Sequence, residues 1–134
     1  MRVRRVVLLL GITLACQPAA SDQRASMEQG RTYTDWLFGG QLDKLRARFS
    51  PEMQRTFPTV AELSSFVTRT TSELGKPSGT PTERMSLVGS THVYSRVMQF
   101  DHASGPVEVQ WTMGEDGRVT GLLIHPAMAD SAAR

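Results

Sequence analysis

Residues 91–113, THVYSRVMQFDHASGPVEVQWTM, decide the fold. His92, Tyr94, Arg96, Met98 and Phe100 alternate with Val93, Ser95, Val97 and Gln99. Successive side chains of a strand point to opposite faces, so this period of two predicts a half-buried strand over residues 91–102. Ala103, Ser104, Gly105 and Pro106 then turn the chain. Val107, Val109, Trp111 and Met113 resume the alternation against Glu108, Gln110 and Thr112, which makes the whole stretch a hairpin.

Downstream, Glu115-Asp116-Gly117 is a second hairpin turn, and residues 118–125 read as the last strand. Its Leu122-Leu123-Ile124 run is nearly continuous in apolar character, which predicts a strand covered on both faces. Pro126 ends it, and residues 128–134 are expected to be a frayed tail. Upstream, residues 84–88 read as a first strand. Lys76 to Pro81 are rich in Pro, Gly, Ser and Thr and read as a loop.

Before that loop the period is 3.6. Thr59-Val60-Ala61-Glu62 is a capping box that opens a helix with Val60, Leu63, Val67, Thr70 and Leu74 on one stripe, stopped at Gly75. Ser50-Pro51 starts a shorter helix in which Met53 and Phe57 are i, i+4 neighbours. Residues 41–49 give another, with Leu42, Leu45 and Phe49 on its apolar face. From Ala25 to Gly39, Met27, Gly30, Tyr33, Trp36 and Leu37 recur near helical spacing. Three to four helices followed by roughly four antiparallel strands define an α+β domain, its helices packed on one face of a curved sheet. The domain spans residues 25–127.

The first sixteen residues, MRVRRVVLLLGITLAC, concern delivery. Arg2, Arg4 and Arg5 precede an uncharged apolar run from Val6 to Ala15, and Cys16, the only cysteine, follows at once. The run is too short to span a bilayer, which takes about twenty residues. It reads as a signal peptide over residues 1–15, with Cys16 as a lipid-attachment site and residues 16–24 as lipidated cysteine and flexible tether. Ordinary secretion, with cleavage near Ala19 or Ala20, and a retained signal anchor or cytosolic protein with a hydrophobic N-terminus are the competing readings. The expected destination is the periplasmic or outer face of a bacterial membrane, held by the lipid on Cys16.

Removing residues 1–15 leaves 119 residues, which suits one domain. It also removes three of the 15 basic residues and no acidic one, so the remainder has twelve against 13 and a net charge of −1. No basic face for nucleic acid is visible. A single cysteine excludes an intramolecular disulfide.

Three stretches, TYTDWLFGGQLDKLRARFSPEM, SELGK and DGRVTGLLIHPA, carry a resemblance. The chain resembles a small domain of unknown function that occurs alone, or ahead of serine-hydrolase and peptidase domains, in exported bacterial proteins. That family belongs to the nuclear transport factor two-like, or SnoaL-like, superfamily. The resemblance implies a cystatin-like cone of helices capped by a curved sheet, often enclosing an apolar pocket. The three stretches are packing and turn patterns and include no catalytic signature.

The chemistry-bearing residues support no reaction by spacing alone. His92 and His102 share a face but stand about 33 Å apart on a straight strand, too far to share a metal ion. Neither a Gly-x-Ser-x-Gly elbow nor a Ser-x-x-Lys pair is present. Tyr94, Asp101, His92, Arg96 and Glu108 could move protons inside an apolar cone, as in some enzymes of the superfamily, but their strand parities disagree. No cofactor and no metal is expected. Trp36, Phe66, Tyr94, Arg96, Met98, Phe100 and Trp111, with Met113, could line a small apolar cavity, although aromatic and methionine residues at this spacing also make ordinary core. Tyr94 and Arg96 would orient a ligand by their polar tips. The expectation is a non-enzymatic exported lipoprotein domain that binds a small apolar ligand or a partner protein. An isomerase- or dehydratase-type proton-transfer enzyme is one alternative. A homodimer that pairs through the sheet, using Met98, Trp111 and Leu122, is another.

Overall fold

The structure, a computed structural model, describes residues 19–128, and side chains from residue 22. Four helices precede four strands: α1 (Ala19–Phe38), α2 (Leu42–Ala47), α3 (Pro51–Thr56), α4 (Val60–Leu74), β1 (Pro77–Val88), β2 (Thr91–Phe100), β3 (Val107–Met113) and β4 (Val119–Pro126). The fold is α+β. Its sheet is antiparallel throughout and its strand order, β1-β2-β3-β4, follows the chain.

Local chemistry accounts for most boundaries. The Ser50 hydroxyl accepts from the Met53 N–H at 3.2 Å, with Pro51 opening α3. Thr59 and Glu62 close both halves of the capping box: the Glu62 N–H donates to Thr59 Oγ1 at 3.2 Å, and the Thr59 N–H to Glu62 Oε2 at 3.3 Å. Gly75 ends α4 with φ of 80°, a conformation suited to glycine.

Three boundaries depart from the sequence reading. Helix α1 begins at Ala19, so the segment expected to be a tether is helical from that residue; Cys16 lies outside the described residues. Ala19, Ala20, Gln23 and Arg24 are good helix formers, and Asp22 suits the first turn, but no apolar stripe marks this part. Residues 77–81, read as a loop, belong to β1. The strand carries a register break between Ser78 and Thr82, and an edge strand tolerates Pro77 and Pro81 where a central one would not. Finally, β4 is an edge strand. Its Leu122-Leu123-Ile124 run is not covered on both faces, and Leu123 is 54% exposed. Apolar continuity reports composition, and neighbours along the sheet decide cover.

The core lies between the helices and one sheet face. Tyr33 and Leu37 of α1, Leu42 and Leu45 of α2, Phe49, Met53 of α3 and Leu63 of α4 meet Tyr94, Met98, Phe100, Val107, Val109, Trp111, Met113 and Val119. Met98 and Trp111 are therefore interior, not the exposed sheet residues on which pairing through the sheet was expected to draw. Trp111 lies edge-on to Tyr33, with ring centres 5.8 Å apart, and donates its indole N–H to Thr34 Oγ1 at 2.9 Å. Helix α1 lies against β1 and β2, while α4 leans on α1 and α2. On the stripe expected of α4 only Leu63 is fully buried, and Val60 is 42% exposed. No helix of the described residues is long and apolar enough to cross a membrane.

Candidate functional site

Helix α4 packs chiefly on α1 and α2, and an open space lies between its C-terminal half and β4. The gap is a cleft of about 670 Å³. One wall is Phe66, Thr70, Glu73 and Leu74 of α4, the floor is Val107 with the β2–β3 hairpin, and the opposite wall is β4 from Leu122 onward. Two backbone bonds close its end: the His102 N–H donates to the Leu74 carbonyl at 2.9 Å, and the Asp101 N–H to the Lys76 carbonyl at 3.0 Å. Gly75 permits this junction, since a Cβ there would lie 3.0 Å from His102 Cγ. Below the cleft, Leu37, Phe38, Phe66, Val67 and Ile124 leave no room for water.

The lining is mostly apolar, with polar groups at the rim: Glu73, His102 and His125. Such a concave surface with a few polar groups suits a ligand that is apolar in body and polar at one end. Glu73 is the only lining residue with a formal charge at neutral pH.

Of the residues the sequence suggested for a pocket, Phe66 alone lines this cleft. Tyr94, Met98, Phe100, Trp111 and Met113 are buried in the close-packed core, and Trp36 packs against it beside Tyr33. Arg96 points the other way along the inner face of β2 and meets Asp35 of α1 at 3.3 Å. The sequence reading missed Thr70, Glu73, Leu74, the hairpin and β4. Strand parity identifies which face is apolar, but not how far a helix stands from it. The available signal was Thr70 and Glu73 interrupting or flanking the stripe of α4, together with three apolar residues in a terminal strand.

Away from the cleft, Tyr94 belongs to a polar chain linking α1, β1 and β2. Its hydroxyl donates to Glu83 Oε1 at 2.5 Å, and Arg31 Nε donates to both Glu83 oxygens at 2.8 and 2.9 Å. The Arg31 bond, aided by that of Tyr94 and opposed by partial burial, holds the Glu83 carboxyl below the usual carboxylate range. Burial pushes the Tyr94 phenol well above its ordinary value, and the adjacent Glu83 carboxylate adds to that. The phenol is thus a fixed hydrogen-bond donor at neutral pH. Arg96 Nε is buried without a hydrogen-bond partner among the described residues.

On the outer sheet face Glu108 is buried between two cations or potential cations. Arg84 Nη2 and His125 Nε2 each lie 3.7 Å from its carboxylate. His125 Nδ1 is 2.9 Å from the Pro126 carbonyl, and Nε2 faces Glu108. Asp101 ends the β2 side of the hairpin and is exposed; His92 is half-buried at the start of β2. Among the described residues, no three His, Cys, Asp or Glu side chains are grouped to hold a metal ion.

Comparison of the chain with protein-family models, with curated proteins and with solved structures finds no match.

Proposed function

We propose that this chain is a binding domain, not an enzyme, exported and tethered through a lipid on Cys16, that holds a small apolar ligand or an apolar segment of a partner in the cleft between α4 and β4. The carrying observation is the separation of α4 from the sheet edge, which leaves an apolar wall of Phe66, Leu74, Leu122 and Ile124 facing an open space. We further propose that the helices and sheet form the cystatin-like cone of the SnoaL-like superfamily; helices before strands, all packed on one sheet face, support that reading. The export reading rests on the basic and apolar start of the chain and its single cysteine.

Titration with Nile red, a neutral dye that brightens in apolar surroundings, tests the cleft. Saturable binding is expected, and Phe66→Ala should weaken it about tenfold, in line with loss of a partly buried aromatic contact. Binding indifferent to that substitution would remove the cleft from the proposal. The intact mass of the protein from its native host tests the lipid: a mature chain starting at Cys16 with acyl mass is expected, and an unmodified Met1 overturns it.

A second reading, a homodimer through the outer sheet face, is favoured by Leu123. This side chain is 54% exposed on a face that no helix of the described residues covers, beside the half-buried Gln110. Sedimentation of the chain and of Leu123→Asp distinguishes it, since a dimer through this face would dissociate in the variant.

A further inference from the structure

One wall of the cleft is a strand edge, and the register of β4 shows which of its backbone groups are free. The Ala127 N–H donates to the Pro106 carbonyl at 2.9 Å. Antiparallel pairs alternate between hydrogen-bonded and non-hydrogen-bonded, so the pairs of His125 with Glu108 and Leu123 with Gln110 face β3, while Ile124 and Leu122 direct N–H and C=O away from it. Pro126, which has no N–H to offer, occupies the next outward position, where an edge strand accommodates proline.

That edge already accepts a strand at its start. The Val119 N–H donates to the Arg48 carbonyl at 2.9 Å and the Ser50 N–H donates to the Val119 carbonyl at 2.8 Å, a parallel bridge with the segment before α3. The ladder stops there because Ser50 caps α3 and the chain turns away. Among the described residues, the edge continues from Leu122 onward without a partner strand, in line with a ladder the protein itself has begun. The cleft lies along this continuation, with Phe66 and Leu74 across from it and Glu73 as its one formal charge.

We infer that the cleft takes an extended peptide, which adds as a strand to the open edge of β4, places an apolar side chain in the cleft over Phe66 and Ile124, and presents a basic side chain to Glu73. Main-chain bonds to Leu122 and Ile124 supply the ladder, and alternate side chains enter the cleft. The inference rests on the cleft being a binding site, and it names the partner as an apolar, basic segment of another polypeptide.

The probe is a blocked hexapeptide, Val-Thr-Leu-Thr-Lys-Thr, added to the isotope-labelled domain. Amide exchange at Leu122 and Ile124 is expected to slow by about tenfold or more on saturation, as free edge amides become bonded. The same peptide N-methylated at the alternate residues that face β4 should bind at least about tenfold more weakly, because each lost bond leaves an unpaired carbonyl or amide. Glu73→Lys should weaken the unmethylated peptide by roughly threefold. Equal affinity for the methylated peptide overturns strand addition. Nile red binding without peptide binding overturns the peptide inference and leaves the cleft standing, whereas failure of both probes removes the two together.

Discussion

Gly30 of α1 lies against the ring of Tyr94 on β2 so closely that a Cβ at position 30 would overlap the ring carbons. The absent side chain lets α1 settle onto the sheet, and the phenol beyond it reaches Glu83. Alanine in a helix interior ordinarily stabilises by about 1 kcal/mol over glycine. Here the sign reverses: Gly30→Ala is expected to cost roughly 1–3 kcal/mol through overpacking. Urea unfolding of the two proteins measures this, and a stabilised variant would contradict the packing described.

Thr34 joins α1 to β3 through one buried hydroxyl. It donates to the Gly30 carbonyl at 2.8 Å and accepts the Trp111 indole N–H. Thr34→Val keeps the volume and removes the acceptor, leaving a buried donor unpaired at a cost of about 1–3 kcal/mol. A shift in the urea midpoint with an unchanged slope would show that effect; no shift would mean that the indole finds another partner.

Glu83 makes stability depend on acid. Its carboxyl titrates below its unfolded value because Arg31 and Tyr94 favour the charged form. Ionisation of Glu83 therefore adds stability that is complete above the ordinary carboxylate pKa of about 4.3 and is lost as pH falls through the lowered folded value. Arg31 is half exposed, so solvent screening keeps the contribution small. Glu83→Gln should be less stable than the parent at pH 7, and the gap should close below pH about 4. A gap constant across that range would exclude the linkage.

The cap of α4 matters beyond the helix, because α4 is a wall of the cleft. Thr59→Ala removes the acceptor for the Glu62 N–H and should cost about 1 kcal/mol. Circular dichroism during thermal unfolding would register the lower midpoint. An unchanged midpoint would show that helix packing alone fixes the start of α4.

The elements that could be read from sequence are those fixed by neighbours in the chain. The Thr59–Glu62 box, the Ser50-Pro51 start and the alternation through Tyr94 and Trp111 are local signals, and each appears in the structure where its residues place it. What escaped was fixed by distant parts. Pro77 and Pro81 were compatible with a strand only because β1 is an edge. Leu123 is exposed because its side chain lies on the outer sheet face, which no helix of the described residues covers. The cleft lies between α4 and β4, elements far apart in the chain, and no residue spacing encodes the gap between them; hence Phe66 was found, and Glu73 and Leu74 were not.

The short parallel bridge between Phe49 and Val119 joins points far apart in the chain, in a domain whose other strand pairings are hairpins between consecutive strands. Hairpins can form as soon as their two arms exist, whereas this contact waits for the final strand. A chain growing from its N-terminus can therefore assemble helices and three strands while Phe49 still lacks its cover. The arrival of Val119 works as a latch: it fastens the front of the molecule to the back, and a polypeptide cut short before it would expose a greasy flank to any chaperone or protease within reach.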